Sequence, residues 1–204
     1  MNWASTPKFI QKIFSSYIFN IKNNINEIYI TFDDGPSKDL TFWILDILNK
    51  QQIKATFFCI GKNAVKYPNA IQRIIVDGHK LGNHSYSHKN GWLSSKKKYL
   101  SDIEKCKSIL PPSKLFRPPY GKILPCHSKI IEKEYKIIMW DILSYDFKKN
   151  ISKNKIISNV INNVCSGSII VFHDNYSSKE NLKKTLEEII VMLKERGFSF
   201  GVIS

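Results

Sequence analysis

The sequence predicts an α/β fold, a distorted barrel of the (β/α)7 type in a single domain. Short apolar runs alternate with longer amphipathic segments from residue 28 to the end of the 204-residue chain. Such alternation is typical of a parallel sheet covered by helices, and about seven units favour a barrel over an open sheet. Most ionisable residues suited to catalysis directly follow the apolar runs, where the strands of a barrel end and its chemistry lies.

The strands are predicted where short runs are rich in β-branched and aromatic residues. The helices are predicted where apolar residues recur every three to four positions, and they end at breakers such as Gly78 and Pro111. In chain order the predicted strands are 27–32, 54–60, 79–85, 114–121, 135–142, 166–174 and 198–204. The predicted helices between them are 39–51, 63–78, 94–110, 127–134, 152–164 and 179–197.

The first 26 residues are predicted to form a helical extension, and residues 27–204 are predicted to form the α/β domain. Apolar residues in the extension follow helical spacing and suggest a helix packed on the body or lying on a surface: Phe9, Ile10, Ile13, Phe14, Tyr17 and Ile18. The segment lacks the apolar core and cleavage site of a secretory signal, and no stretch has the length of a transmembrane helix. A cytoplasmic or membrane-surface location is therefore expected.

The chain is strongly basic, with 31 Lys and Arg against 17 Asp and Glu and a net charge of +14. This charge predicts attraction to anionic partners such as the polymers of a cell envelope. The lysines are scattered, however, and Lys96, Lys97 and Lys98 form the one run of three, so nucleic acid is not an expected partner. The four cysteines are widely spaced, which argues against a thiolate zinc site and suggests reduced thiols.

The stretch "ITFDDGPS" places two adjacent carboxylates at the end of an apolar run. Neighbouring strand residues point to opposite faces, so Asp33 and Asp34 can serve one site only if the backbone leaves the strand there. Gly35 and Pro36 provide that departure. The competing interpretation is an Asp-Gly turn whose carboxylates cap the next segment.

The stretch "NHSYSH" places His84 and His88 four residues apart, a spacing that brings both rings to one side of a helical turn. Two histidines and one aspartate make a three-ligand set that leaves a fourth position open, as a catalytic metal site requires. Surface or capping roles are the alternative. If one aspartate binds the metal, the other is free to accept a proton, and the cation offsets the repulsion between them.

Two further stretches offer an arginine and a histidine at strand ends. In "RPPYG", Arg117 is suited to hold a carboxylate ionised, and a backbone N–H beside Tyr120 is suited to donate to an oxyanion. A rigid loop with a surface arginine is the alternative. His173, which follows the apolar run "SIIVF", is suited to protonate a leaving group if a nearby acid raises its pKa, although a buried structural histidine fits the pattern too.

In this order and approximate spacing, "TFDDGP", "HSYSH", "RPPYG" and "IVFHD" resemble the motifs of the polysaccharide deacetylase family, the NodB-homology group of carbohydrate esterases. The resemblance runs from about residue 27 to residue 203. It implies a distorted (β/α) barrel and metal-dependent hydrolysis of an acetyl group, usually from N-acetylglucosamine in a polymer. The expected substrate is thus an acetylated glycan such as peptidoglycan, and the expected cation is Zn²⁺.

The resemblance also implies a role for each matching residue. Asp33 is the general base, His173 the general acid, and Arg117 orients Asp33. Asp34, His84 and His88 hold the metal, the backbone at Tyr120 contributes to the oxyanion hole, and Val171 and Phe172 belong to the stretch lining the pocket for the acetyl methyl group.

One stretch, "WDILSYDFKKN", departs from the family pattern. Leu143 stands where an aspartate often supports the acid histidine, and Phe147 stands in place of a tryptophan. Leucine cannot raise the pKa of a histidine by charge, so another acid is needed. Asp141, on the same predicted strand face as residue 143, is the expected substitute, and Asp146 is the second choice.

The sequence therefore predicts a polysaccharide N-deacetylase that hydrolyses a linear amide. An esterase removing O-acetyl groups from xylan-type glycans is the first alternative, because amide and ester pass through the same kind of tetrahedral intermediate. A non-catalytic glycan- or nucleic-acid-binding module is the second. The complete set of base, acid and metal-binding residues argues against it, since binding alone needs neither an acid nor a base.

Overall fold

Strands and helices alternate along the chain in the computed structural model, which describes residues 3–22 and 25–204. Its strands are Glu27–Asp33 (β1), Thr56–Cys59 (β2), Lys80–Asn83 (β3), Leu115–Phe116 (β4), Lys136–Ile137 (β5), Ile142–Leu143 (β6), Ile169–His173 (β7) and Ser199–Phe200 (β8). Its helices are Lys8–Ile13 (α1), Leu40–Lys50 (α2), Gly61–Lys66 (α3), Pro68–Val76 (α4), Lys96–Lys107 (α5), Pro125–Ile131 (α6), Lys153–Ile161 (α7) and Lys179–Glu195 (α8).

The strands form one curled sheet in which β1 lies between β2 and β7. The order is β5-β4-β3-β2-β1-β7-β6, with β8 pairing to the first residues of β1, and the pairs between these strands are parallel. Helices surround this partial barrel, so the predicted single-domain (β/α)7-type architecture is confirmed. Parallel strands bring their carboxyl ends to one rim, where β1 and β7 lie side by side.

The two faces of β1 have different surroundings. Phe32 points toward the helices and stacks on Phe57 and Phe172, with ring centroids 5.1 and 5.9 Å apart. Thr31 and Asp33 alternate with it and point to the other face. They are buried there as well. The alternation of β1 therefore delivers one carboxylate into the interior of the barrel at its rim.

Two predicted elements are divided in the structure. The predicted helix 63–78 is two helices, because Pro68 disfavours a helical backbone at Tyr67 and itself begins α4. The predicted strand 135–142 is also divided, into β5 and β6. Between them, Met139 donates its backbone N–H to Ile18 of the N-terminal segment rather than to a neighbouring strand of the sheet.

The N-terminal segment contacts the body mainly through the residues that flank its helix. No residue of α1 is buried, whereas Tyr17 and Phe19 after it are. Isolated backbone bridges join Ser5 to Ile142, Ile18 to Ile138 and Asn20 to Ser168. A boundary after residue 26 stays a prediction, because residues 1–2 and 23–24 lie outside the described residues. Across 3–22 and 25–204, the helices are all too short or too polar to span a membrane.

Candidate active site

The side chains of Asp33 and Asp34 contact different residues because the chain turns between them. Asp33 is the last residue of β1, and Asp34 adopts a left-handed backbone with φ of 75°. Aspartate is among the residues that tolerate this region. Gly35 lets the loop approach the end of β7, since a Cβ there would lie 2.4 Å from Asp174 Oδ2. The predicted departure from the strand is therefore present.

Arg117 holds Asp33 from within the barrel. Its Nη1 donates to Asp33 Oδ1 at 2.7 Å, and the arginine side chain is fully buried. The same guanidinium donates to Thr31 Oγ1 and to the carbonyls of Ile138 and Met139 at 2.7 to 3.2 Å. Burial lowers the pKa of Arg117, an effect that Asp33 opposes. The fixed guanidinium therefore holds the Asp33 carboxylate in one orientation.

Asp34, His84 and His88 converge on one point. Asp34 Oδ1 lies 3.5 Å from His84 Nε2 and 3.1 Å from His88 Nε2, and the three side chains offer ligand atoms within 4.8 Å of one another. Burial alone would raise the pKa of Asp34, but its hydrogen bonds with the two histidines hold that pKa well below its usual range. An anionic carboxylate between two imidazoles is a suitable donor set for a divalent cation.

The loop carrying the two histidines is not the predicted helical turn. Ser85 and His88 have positive φ angles of 60° and 56°, and residues 84–88 contain no helix. The rings meet because His84 Nδ1 donates to the carbonyl of Arg117 at 2.7 Å, which turns its Nε2 toward Asp34. This contact fixes the ring tautomer, as is typical of metal-binding histidines. His79, the third histidine of this part of the sequence, lies instead against Phe57 in the core.

The acid that supports His173 is Asp146, so the expectation of Asp141 is wrong. Asp146 Oδ1 accepts from His173 Nδ1 at 2.8 Å, and Oδ2 accepts from the backbone N–H of the same histidine at 2.8 Å. Ser144 Oγ donates to Asp146 Oδ1 at 2.8 Å. Burial lowers the pKa of His173, but the charge and hydrogen bond of Asp146, together with the nearby charges of Asp34 and Asp33, raise it to about 9.

Asp141 has a structural position instead. Its carboxylate accepts hydrogen bonds from the backbone N–H of Ile169 at 2.8 Å, from Ser168 Oγ at 2.9 Å and from Asn20 Nδ2 at 3.4 Å. The same-face argument fails because β6 begins only at Ile142. A left-handed residue, Tyr145 with φ of 63°, then turns the chain so that the next aspartate reaches the histidine.

These groups open into one pocket of about 360 Å³. Tyr120, in the 3-10 turn Pro119–Gly121, has a left-handed backbone and places its ring 4.5 Å from that of His88. Val171 lines the pocket as expected, whereas Phe172 packs in the core on the helix side. The full lining is Asp33, Asp34, His84, His88, Tyr120, Trp140, Leu143, Phe147, Val171, His173, Asn175 and Ser177.

The sequence did not indicate Trp140, Asn175 or Ser177 as site residues. Trp140 is adjacent to an aspartate in the fourth motif, and Asn175 follows the His-Asp pair of the last motif directly. Their nearness to matched motifs is the one signal that singles them out.

The pairing of Asp146 with His173 predicts a measurable titration. By NMR, we expect the ring of His173 to titrate at about 9 in the wild type. Asp146→Asn removes the charge that stabilises the imidazolium, so the pKa of His173 falls toward or below the ordinary value of about 6.5. Asp141→Asn is the matched control and should leave the titration unchanged. If the pKa of His173 fell in Asp141→Asn but not in Asp146→Asn, the assignment of Asp146 as the supporting acid would be contradicted.

Three groups meet at one rim of this parallel barrel: a carboxylate held by an arginine, a histidine paired with a carboxylate, and a cluster of two histidines and one aspartate. This combination is typical of metal-dependent hydrolases. Within that class, the chain belongs to the polysaccharide deacetylase family. The family model described as polysaccharide deacetylase matches residues 20–135, so the family that the motifs predict is confirmed.

Individual relatives agree with this membership. The chain is 38% identical over 192 residues to a peptidoglycan-N-acetylglucosamine deacetylase of Bacillus cereus, an alignment that covers 91% of this chain and 70% of the relative. It is similar to the crystal structure of the Bc1960 peptidoglycan N-acetylglucosamine deacetylase, with a TM-score of 0.89, 36% identity and coverage of 97% and 95% of the two chains.

A relative with another named context is the Xyl-CE4 domain of a multidomain xylanase from the hindgut metagenome of Trinervitermes trinervoides. It shares 30% identity with this chain at a TM-score of 0.78, and 88% of each chain is covered.

Proposed function

We propose that this protein removes N-acetyl groups from N-acetylglucosamine residues of peptidoglycan or a related glycan, and releases acetate and a free amine. The observation that carries the proposal is the register of β1 and β7, which makes Asp33 and His173 direct neighbours beside the Asp34 cluster. Relatives named as peptidoglycan deacetylases support the choice of polymer. The attraction to anionic envelope polymers that a net charge of +14 predicts is part of the proposal.

Asp34, His84 and His88 would hold a divalent cation, and zinc suits this donor set. When bound, such a cation supplies Lewis acidity, which polarises an acyl oxygen and lowers the pKa of water.

Asp33 is the proposed general base. Its pairing with Arg117 fixes the orientation of the carboxylate, so that it is placed to accept the proton of the attacking water. The hydroxyl oxygen of that water forms the new bond to the acetyl carbon. The backbone N–H at Tyr120 is the proposed donor to the oxygen that becomes negative in this step.

His173 is the proposed general acid. With a pKa of about 9 the ring is protonated at neutral pH, and because Asp146 occupies Nδ1, the proton that faces the pocket is on Nε2. The C–N bond breaks as the amine nitrogen takes this proton, and acetate remains. Leu143 and Val171 give the pocket an apolar wall suited to the acetyl methyl group.

The decisive experiment is acetate release from a panel of acetylated glycans with and without a chelator. We expect release from peptidoglycan fragments, a loss of at least about 10²-fold after metal removal, and recovery on addition of zinc. Cobalt, manganese and nickel added in parallel identify the preferred ion. Full activity after verified metal removal would contradict the metal site, and release from none of the amide substrates would contradict N-deacetylation.

O-deacetylation of a xylan-type glycan is the second candidate. It is favoured by the likeness to the Xyl-CE4 domain, which is named as part of a xylanase. The same base, acid and donor set would serve an ester, so acetylated xylan belongs in the same panel. Faster release from the ester polymer than from peptidoglycan fragments would favour this candidate.

A further inference from the structure

We propose that Asn175 is a positioning residue for the metal site, where its side chain holds the Asp34 carboxylate in the orientation that turns one oxygen toward the two histidines. Asn175 Nδ2 donates to Asp34 Oδ2 at 2.7 Å, while the other oxygen, Oδ1, lies toward His84 and His88. The inference rests on the proposed metal site and adds a residue that the motifs do not include.

The orientation of the Asn175 amide is set by its own loop. Its Oδ1 accepts from the backbone N–H of Ser178 at 3.0 Å and from Ser177 Oγ at 2.7 Å. A backbone N–H can only donate, so the contact with Ser178 requires the amide oxygen, and the NH₂ group is the end that reaches Asp34. A carboxylate accepts hydrogen bonds and does not donate them when ionised, which agrees with this assignment.

The loop is itself fixed to the end of β7. Ser178 is buried, and its hydroxyl contacts the carbonyls of His173 and Asn175. The backbone N–H of Asp174 donates to the carbonyl of Asp33 at 2.7 Å. The residue that orients Asp34 therefore sits on the same rigid connection as the proposed acid.

A neutral donor suits this position. Asp34 has a side chain that is only 16% exposed, so an oxygen turned away from the cation needs a hydrogen-bond partner. An arginine or lysine would satisfy it but would place a positive charge beside the cation. The Asn175 amide satisfies it and leaves the charge of the carboxylate for the metal. Without this donor, the Asp34 carboxylate is free to rotate. Loss of a hydrogen bond that orients a metal ligand typically lowers metal affinity by about 10- to 100-fold.

The test measures zinc affinity rather than turnover. The full chain is stripped of metal, and zinc is titrated in competition with a chromogenic chelator. Asn175→Ala removes both functions of the amide, whereas Asn175→Ser keeps a neutral acceptor for the loop and loses the donor to Asp34. Tyr176→Ala is the matched control, because this neighbouring side chain is 92% exposed. Thermal melting of the metal-free proteins checks that each variant is folded.

We expect both Asn175 variants to bind zinc about 10- to 100-fold more weakly than the wild type, and Tyr176→Ala to remain within about twofold. Wild-type affinity in Asn175→Ser would show that the residue only shapes its loop and would overturn the proposal. Equal weakening in Tyr176→Ala would overturn it too. A wild type that binds no zinc would overturn the proposed metal site, which distinguishes that failure from a failure of Asn175 alone.

Discussion

Asn in place of Asp33 is expected to lower turnover by about 10²- to 10⁴-fold, the range that a positioned proton acceptor contributes. The amide has nearly the same shape but cannot take the proton of water at neutral pH. Bound metal should persist, because Asp33 is not one of the three proposed ligand residues. Acetate release and elemental analysis on the same preparation measure both effects.

The neighbouring aspartate supplies the control for this experiment. Asp34→Asn should lose metal and activity together, whereas Asp33→Asn should lose activity alone. Because Asp33→Asn leaves the buried guanidinium of Arg117 without its counter-ion, a fall in melting temperature is also expected. Loss of metal from Asp33→Asn, or turnover near the wild-type value in a folded protein, would refute its assignment as the base.

The rim of the barrel was predictable because each strand that carries a site residue is marked locally. β1 and β7 are mainly apolar runs that end in an ionisable residue, and such runs are typical of a strand buried on both faces. A parallel sheet then brings Asp33 and His173 together without further information.

The support of His173 was not predictable in the same way. The choice of Asp141 assumed a continuous strand, in which alternate residues share a face. The structure instead has a two-residue strand, followed by a left-handed turn at Tyr145. The local sequence preferences do not predict either feature. A non-glycine residue with positive φ is stabilised by tertiary contacts rather than by its local sequence. Here the turn at Tyr145 allows the buried carboxylate of Asp146 to pair with His173.

The loop of His84 and His88 is a second case in which tertiary contacts, rather than local sequence preferences, determine the backbone. A four-residue spacing predicted the convergence of the two rings by helical geometry, and the rings do converge, but through two left-handed residues and a hydrogen bond to the carbonyl of Arg117. The contact joins residues 33 positions apart in the chain. The four-residue spacing therefore indicated the correct pair of residues, although the two rings are not brought together by a helical turn.

His173→Ala separates the two candidate substrates, because leaving groups differ in their need for a proton. An amine leaves a tetrahedral intermediate only when its nitrogen is protonated, whereas the alkoxide of an ester leaves more readily. We expect a loss of about 10²- to 10⁴-fold on an N-acetylated glycan. The loss on an O-acetylated glycan should be clearly smaller. Acetate release from both polymers by the wild type and the variant measures the difference.

The comparison is meaningful only if the variant keeps the rest of the site. Zinc content reports on the Asp34 cluster, and melting temperature reports on Asp146, which is buried and loses its contact with the imidazole. Asp141→Asn, whose carboxylate contacts the base of β7 rather than the histidine, is the control for altering a buried acid nearby. Equal losses on amide and ester would mean that His173 acts before the bond to the leaving group breaks, for example by stabilising the negative charge of the intermediate. That result would remove the proton delivery on which the preference for an amide depends.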